Sequence, residues 1–257
     1  MIPKTIHYCW FGRNPKPKLA KKCIKSWKKY CKDYEIIEWN EDNFDIPSAP
    51  LYVRQAYDAK KWAFVTDYVR LWAMVNCGGI YMDTDVEVIK PLDSFLNHRA
   101  FSGFEDDIHI PTGIMACEKG FLLFQEFLDY YVGLTFINED GTYNTVPNVV
   151  YMTNTCVKYG LIQNNSFQII NGFALYPKDV FCPLSYETRE CSKTKNTVTI
   201  HWFNGSWLEP NVRKDLDSKI KQNKMIHRKD FIFHIPNRIL LFALGKKNYE
   251  KLKRLLK

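Results

Sequence analysis

Residues Gly78-Gly79-Ile80-Tyr81-Met82-Asp83-Thr84-Asp85 constrain this chain most. A long apolar segment, Trp62 to Cys77, runs into a Gly-Gly stop, and a short apolar strand follows at once. That strand ends in two carboxylates flanking one small polar residue. Negative charge at the rim of an apolar sheet is unfavourable unless a cation or charged partner compensates it. With sixteen Asp in 257 residues, Asp-x-Asp also arises by chance, and the chain has a second, Asp215-Leu216-Asp217. That pair lies among Arg213, Lys214 and Lys219 and reads as solvated helix surface. The position after a buried strand sets Asp83 and Asp85 apart.

The surrounding pattern predicts an α/β sheet. Thr5 to Trp10 reads as a buried strand closed by Phe11-Gly12, and Pro17 to Tyr30 as a lysine-rich amphipathic helix. Tyr34 to Trp39 is a strand, and Leu51 to Lys61 and Trp62 to Cys77 are helical. Val86 to Ile89 is a further apolar stretch, and Ala100 to Phe104, Gly113 to Cys117, Phe167 to Tyr176 and Thr197 to Trp202 read as strands. Phe121 to Tyr131 and Val149 to Tyr159 read as helices. Strands alternating with helices in the first hundred residues point to βαβ units. In such sheets ligands bind beyond the carboxyl ends of parallel strands. Trp10, the Asp83/Asp85 pair and His201 all fall at such ends. Asp67 and Arg70, three apart, share one face of an otherwise apolar helix. They form either a simple helix ion pair or a charged pair aimed into a polar cavity.

Bulk properties narrow the classes. The apolar share of 46% and charged share of 25% are ordinary for a globular protein. The net charge of +8 favours acidic partners. The eight Cys contain no Cys-x-x-Cys, which argues against a zinc site and for reduced, mostly buried thiols. The N-terminus lacks a signal peptide's apolar core, and no run approaches the roughly 20 apolar residues of a spanning helix. A cytoplasmic location is expected, at most with peripheral contact at the inner face of a membrane. Residues 237–257 combine leucines with Arg238, Lys246, Lys247, Lys251, Lys253 and Arg254. Such a basic amphipathic helix can lie on an anionic bilayer, pack on its own domain or meet a second subunit.

Phe64-Val65-Thr66-Asp67-Tyr68-Val69-Arg70-Leu71, followed by the Gly78 to Asp85 segment, resembles the sugar-binding signature of family 32 glycosyltransferases. These are capsular polysaccharide synthesis enzymes related to fungal initiating mannosyltransferases and, distantly, to the large glucosylating toxins. Ile2 to Gly12, Gly103-Phe104-Glu105 and His201-Trp202-Phe203-Asn204-Gly205-Ser206-Trp207 extend the resemblance over residues 1 to about 208.

The resemblance implies a GT-A fold in residues 1–208, with 209–257 as a helical basic extension. It implies a nucleotide-sugar donor, with UDP-galactose and UDP-glucose first, and Mn²⁺ or Mg²⁺ on the diphosphate. Reaction would proceed with retention, onto a hydroxyl of a glycan acceptor that is lipid-linked or protein-linked, in capsular, exopolysaccharide or glycoprotein glycan synthesis. By position, Trp10 would stack on the base, and Asp67 and Arg70 would hold the donor sugar. Asp83 would touch ribose and sugar with indirect metal contact, and Asp85 would be the direct metal ligand. His201 would be the C-terminal metal ligand, and Ser206 and Trp207 would close over the diphosphate. Thr112-Gly113-Ile114 resembles the acceptor-side turn. Glu105, Asp106 and Asp107 either orient the acceptor or form a solvated acidic loop, and the solvated loop is the favoured reading.

Two other classes compete. A metal-dependent nucleotide-sugar phosphohydrolase or nucleotidyltransferase would show more clustered carboxylates or a phosphate-cradling glycine loop. A basic nucleic-acid or membrane-binding module would explain the +8 charge, but no nucleic-acid motif is present and no nucleic-acid partner is expected.

Overall fold

The structure, a computed structural model, describes residues 1–205 together with 214 and 218. Ser206, Trp207, Asp215, Asp217 and the 237–257 segment therefore lie outside the described residues. The compact unit formed by Met1–Tyr186 and Glu190–Trp207 holds all the elements named below. The second unit, Glu187–Arg189 with Leu208–Lys257, falls almost wholly beyond the described range.

The strands are β1 (Thr5–Cys9), β2 (Glu35–Trp39), β3 (Gly79–Met82), β4 (Val86–Val88), β5 (Ala100–Gly103), β6 (Ile114–Cys117), β7 (Gln168–Ile170), β8 (Phe173–Tyr176) and β9 (Thr199–His201). The helices are α1 (Lys18–Tyr30), α2 (Leu51–Asp58), α3 (Trp62–Cys77), α4 (Leu122–Asp129), α5 (Asn148–Lys158) and α6 (Lys178–Phe181). Seven strands form one mixed sheet in the order β2-β1-β3-β6-β5-β8-β7, and β4 pairs with β9 apart from it. β1 runs parallel to β2 and β3, while β6 is antiparallel to both its neighbours. The carboxyl ends of β1, β3 and β5 therefore open on one edge of the sheet. This is the mixed α/β architecture that the sequence predicts.

Side-chain alternation divides the core. Tyr81 of β3 faces a cluster built with Val65, Leu71 and Met74 of α3, Phe124 and Phe127 of α4 and Met152 of α5. Its neighbours Ile80 and Met82 face the opposite cluster, with Cys23 and Trp27 of α1 and Phe181 of α6. Helices thus cover both faces. α3 is apolar nearly all round because it is enclosed nearly all round. Its stop demands glycine. Gly78 and Gly79 have φ of 70° and 101°, and a Cβ on Gly79 would sit 2.6 Å from the Thr5 carbonyl oxygen. Only glycine lets β3 start this close to β1.

One predicted element differs. Phe167 to Tyr176 is a hairpin of β7 and β8 rather than one strand. Asn171 and Gly172 both take positive φ (49° and 85°), the geometry of a tight hairpin turn. The Asn-Gly dipeptide was the available signal. The described cysteines are free thiols, all buried except Cys77 and Cys191. No helix among the described residues is long and apolar enough to cross a membrane.

His7 locks the first crossover. It is fully buried, its Nε2 donates to the Gly78 carbonyl at 2.9 Å, and its Nδ1 accepts from Trp39 Nε1 at 3.1 Å. Those partners require the neutral ring. Burial lowers its pKa from 6.5 to about 4. The unfolded chain therefore takes up the proton first. Stability from this site is full above pH 6.5 and is lost as the pH falls toward 4, by about 3 kcal/mol. Urea unfolding of wild type and His7→Gln at pH 7 and pH 4.5 checks this: the variant's acid-induced loss is smaller.

Candidate functional site

Arg70 organises the edge where the parallel strands end. Its side chain is 6% exposed. Nη2 lies 3.1 Å from Asp67 Oδ1, one turn back on α3, and Nη1 lies 3.4 Å from Asp83 Oδ1. The remaining donors are also occupied. Nη1 donates to the Thr112 carbonyl at 2.8 Å, Nε to the Thr66 carbonyl at 3.2 Å, and Nη2 to Thr66 Oγ1 at 3.3 Å. The guanidinium stands 4.9 Å from the centre of the Tyr81 ring. The Asp67–Arg70 pair is thus no surface ion pair. It points inward, and its third member is Asp83.

Burial pushes the Asp67 carboxyl up to about 6, against the pull of Arg70, with Asp83 adding to the rise. Burial opposes the charge on Arg70 as well, but Asp83, Tyr81 and Asp67 outweigh it and hold the guanidinium charged. Asp83 Oδ1 also accepts from the Tyr81 hydroxyl at 2.9 Å, and its amide donates to the Gly113 carbonyl at 2.8 Å.

Asp85 sits beyond the β3 end, where the chain turns into β4. β4 pairs with β9 so that Val86 lies opposite His201, and this brings a residue from the far end of the unit beside Asp85. His201 Nε2 lies 3.3 Å from Asp85 Oδ1, and the Asn204 amide donates to Asp85 Oδ2 at 2.7 Å. Burial disfavours charge on Asp85, yet His201 and the Asn204 amide hold its carboxyl below the usual range. Burial likewise disfavours the imidazolium, but Asp85 raises the His201 pKa well above 6.5. On its other side the buried His201 ring neighbours the Cys182 thiol. Gly113 makes room for the ring, since a Cβ there would sit 2.6 Å from His201 Cε1.

Asp83, Asp85 and His201 each offer one ligand atom, and these atoms lie within 4.8 Å of one another. Two carboxylates and an imidazole are a donor set that fits a divalent cation. Trp10 follows the end of β1. Extending the β1–β3 register places it level with Thr84, on the same edge. Its indole donates to the Asn14 carbonyl at 2.6 Å and the ring is part-exposed under Lys16.

Several site residues escaped the sequence reading. Tyr81, Thr66 and Cys9 surround the Arg70–Asp83 pair, and burial pushes the Cys9 thiol far up. Tyr81 had a signal, because it shares a strand face with Asp83. The acidic loop needs a correction. Asp106 and Asp107 are exposed and pair with His109 and Lys178, as a solvated loop should. Glu105 is different. It is only part-exposed, burial pushes its carboxyl up to about 7, and it feels His201 and Asp83 as well as the loop's Asp106 and His109. It follows β5 on the same edge, so the run Glu105-Asp106-Asp107 is not one solvated unit.

Residues 17–102 match the family model described as "Glycosyltransferase sugar-binding region containing DXD motif". The chain is 31% identical over 123 residues to inositol phosphoceramide mannosyltransferase 3 of Schizosaccharomyces pombe. That alignment covers 46% of this chain and 34% of the relative, so the chain spans about a third of the relative's length. Among solved structures, the PaToxG glycosyltransferase aligns with TM-score 0.46 and 18% identity, over 61% of this chain and 69% of its own. A glycosyltransferase involved in glycosylation of the major capsid of PBCV-1 aligns with TM-score 0.44 and 16% identity, over 84% and 98%. The family match and the yeast relative bear out the glycosyltransferase resemblance read from the sequence.

Arg70→Ala leaves Asp67 and Asp83 without their buried counter-charge. It should destabilise the fold by about 3–5 kcal/mol, as for other broken buried ion pairs. Urea unfolding at pH 7 measures this. Arg70→Lys should recover only part, because one ammonium cannot span both carboxylates and the two backbone carbonyls.

Proposed function

We propose that this chain is a metal-dependent glycosyltransferase that moves a hexosyl group, with retention, from a nucleoside diphosphate sugar to a hydroxyl of a glycan acceptor. One observation carries the reading: Asp83, Asp85 and His201 converge at the strand ends, and Arg70 ties Asp83 to Asp67 beside them. A site that must hold both a diphosphate and a neutral sugar needs this mixture of cation-binding carboxylates and fixed hydrogen-bonding groups.

Asp85 and His201 would hold the cation directly, with Asp83 contributing through an outer contact. A bound Mn²⁺ or Mg²⁺ supplies positive charge against the leaving diphosphate. The protein's own groups do the rest. Trp10 offers a flat apolar surface for the base. Asp67 has one carboxylate oxygen on Arg70 and the other available to accept from a sugar hydroxyl, while Arg70 fixes the direction of both carboxylates. Ser206 and Trp207, just beyond the described residues, are proposed to close over the diphosphate. Among the described residues, the Asp67, Asp83 and Asp85 carboxylates at this edge are engaged with Arg70 or His201, which favours a path without a covalent intermediate. The acceptor hydroxyl would therefore attack from the leaving-group face, its proton passing to the departing phosphate oxygen.

UDP-galactose and UDP-glucose are the first donors to test. The Schizosaccharomyces pombe relative is a mannosyltransferase, so mannosyl donors come next. A polysaccharide or glycoprotein glycan acceptor, lipid-linked or protein-linked, completes the proposal. Reaction products separate this reading from a nucleotide-sugar phosphohydrolase. A transferase acting on water in place of acceptor releases free hexose and nucleoside diphosphate. A phosphohydrolase releases hexose phosphate and nucleoside monophosphate.

A nucleotide-sugar panel incubated with Mn²⁺ should show one preferred donor giving nucleoside diphosphate. Asp85→Ala should lower that turnover by at least about a hundred-fold, in keeping with loss of leaving-group stabilisation. Equal, metal-independent turnover in wild type and variant would contradict the assignment.

A further inference from the structure

Helix α1 carries a feature that the proposed reaction does not use. Its thirteen residues include six lysines, Lys18, Lys21, Lys22, Lys25, Lys28 and Lys29, and no acidic residue. At 3.6 residues per turn all six fall within an arc of roughly 120°. Lys32, just past the helix, continues the same line. The opposite face, with Ala20, Cys23 and Trp27, is buried against the sheet, and all the lysines point outward and are exposed. Like charges three and four residues apart destabilise a helix. Only Lys22 is offset by a carboxylate among the described residues, Glu87 at 2.7 Å. Lys18, Lys21, Lys25 and Lys28 have no ion-pair partner among the described residues. Beyond the Lys22–Glu87 pair the described fold gives this stripe no counter-charge, which leaves it open to an external anionic surface.

We propose that the lysine face of α1 docks on an anionic lipid bilayer. The chemistry of the face selects this occupant. It contains no arginine fork for base or bidentate phosphate recognition, its one tryptophan is buried, and the half-buried Tyr30 and Trp202 rings beside it already lie against Lys29 and Lys22. What remains is a row of flexible point charges on a convex helix, suited to a fluid sheet of headgroups. Beside the row lies an open, shallow hollow lined by Lys22, Lys25, Lys28 and Lys29 together with Glu87, Tyr30 and Val88, so the basic groups ring a partly apolar floor.

The face is also wired to the candidate site. Lys22 lies 5.0 Å from the centre of the Trp202 ring, and Glu87 accepts from Trp202 Nε1 at 3.0 Å. The Trp202 amide in turn donates to the Asp85 carbonyl at 3.0 Å. Docking through α1 would thus set the strand-end edge close to the membrane. The docking itself does not depend on the proposed activity.

Co-sedimentation of the full chain with vesicles tests it. Vesicles of phosphatidylcholine mixed equally with phosphatidylglycerol should retain the wild type at low salt, and pure phosphatidylcholine should not. The triple variant Lys21→Gln, Lys25→Gln, Lys28→Gln should bind about a hundred-fold more weakly, since each lysine near an anionic surface contributes roughly five-fold. The basic 237–257 segment is intact in this variant, so its contribution is separated from that of α1. An unchanged melting temperature shows that the variant is folded. Should it be unfolded, single Lys→Gln variants, each about five-fold weaker, replace it. Equal vesicle binding by variant and wild type overturns the proposal. So does a wild type that ignores anionic vesicles, including one that instead binds RNA or heparin.

Discussion

A buried guanidinium is the constraint on which the site depends. Arg70 is surrounded by α3, β3 and the turn before β6, and nothing in its surroundings is water-like except what the fold supplies. Removing such a charge from water is costly, and it persists only if every donor is met. Two carboxylates, two backbone carbonyls, one hydroxyl and an aromatic face meet it. These partners come from three stretches of chain: α3 (Thr66 and Asp67), the β3 end (Tyr81 and Asp83) and the turn at Thr112. Satisfying Arg70 therefore fixes the helix against the strand, the strand end against the Thr112-Gly113 turn, and the direction in which Asp83 faces.

That geometry explains why the ligand set forms where it does. Asp83 is held back toward Arg70 and Tyr81, while Asp85, two residues on, has passed the sheet edge and meets His201. The two carboxylates differ in surroundings although their sequence context is nearly the same. β9 is recruited by pairing with β4 outside the main sheet, so the imidazole arrives without disturbing the parallel strands. Gly113 serves both halves: its carbonyl holds the Asp83 amide, and its missing side chain admits the His201 ring.

Much of this was legible in the sequence, and the illegible part has a common cause. Helix and strand positions through β6 follow from period and glycine stops, because α3 and β3 carry strong local signals. The i, i+3 spacing of Asp67 and Arg70 announces a shared helix face. The partners that decide which way that face points are mostly backbone carbonyls, at Thr66 and Thr112, and a carbonyl has no sequence identity. Glu105 was hidden differently. It opens an acidic run, and composition assigns one environment to the run, whereas a chain leaving a strand end places successive residues in different ones. The β7–β8 hairpin was missed because its strands are too short to break the apolar pattern, although Asn171-Gly172 marks the turn.

The surface completes the picture in charge terms. The strand-end edge concentrates carboxylates and the α1 face concentrates lysines, and Lys22, Glu87 and Trp202 join the two. An acidic centre beside a basic face suits a reaction in which a cation-bound diphosphate meets an acceptor held at an anionic surface. Mn²⁺ binding, followed by the loss of the free-ion electron paramagnetic resonance signal, tests the acidic centre most directly. The wild type should bind one Mn²⁺, more tightly with UDP present, and Asp85→Ala and His201→Ala should each weaken binding by at least tenfold while remaining folded. Undiminished Mn²⁺ binding in both variants, or no binding by the wild type with UDP, would contradict the account.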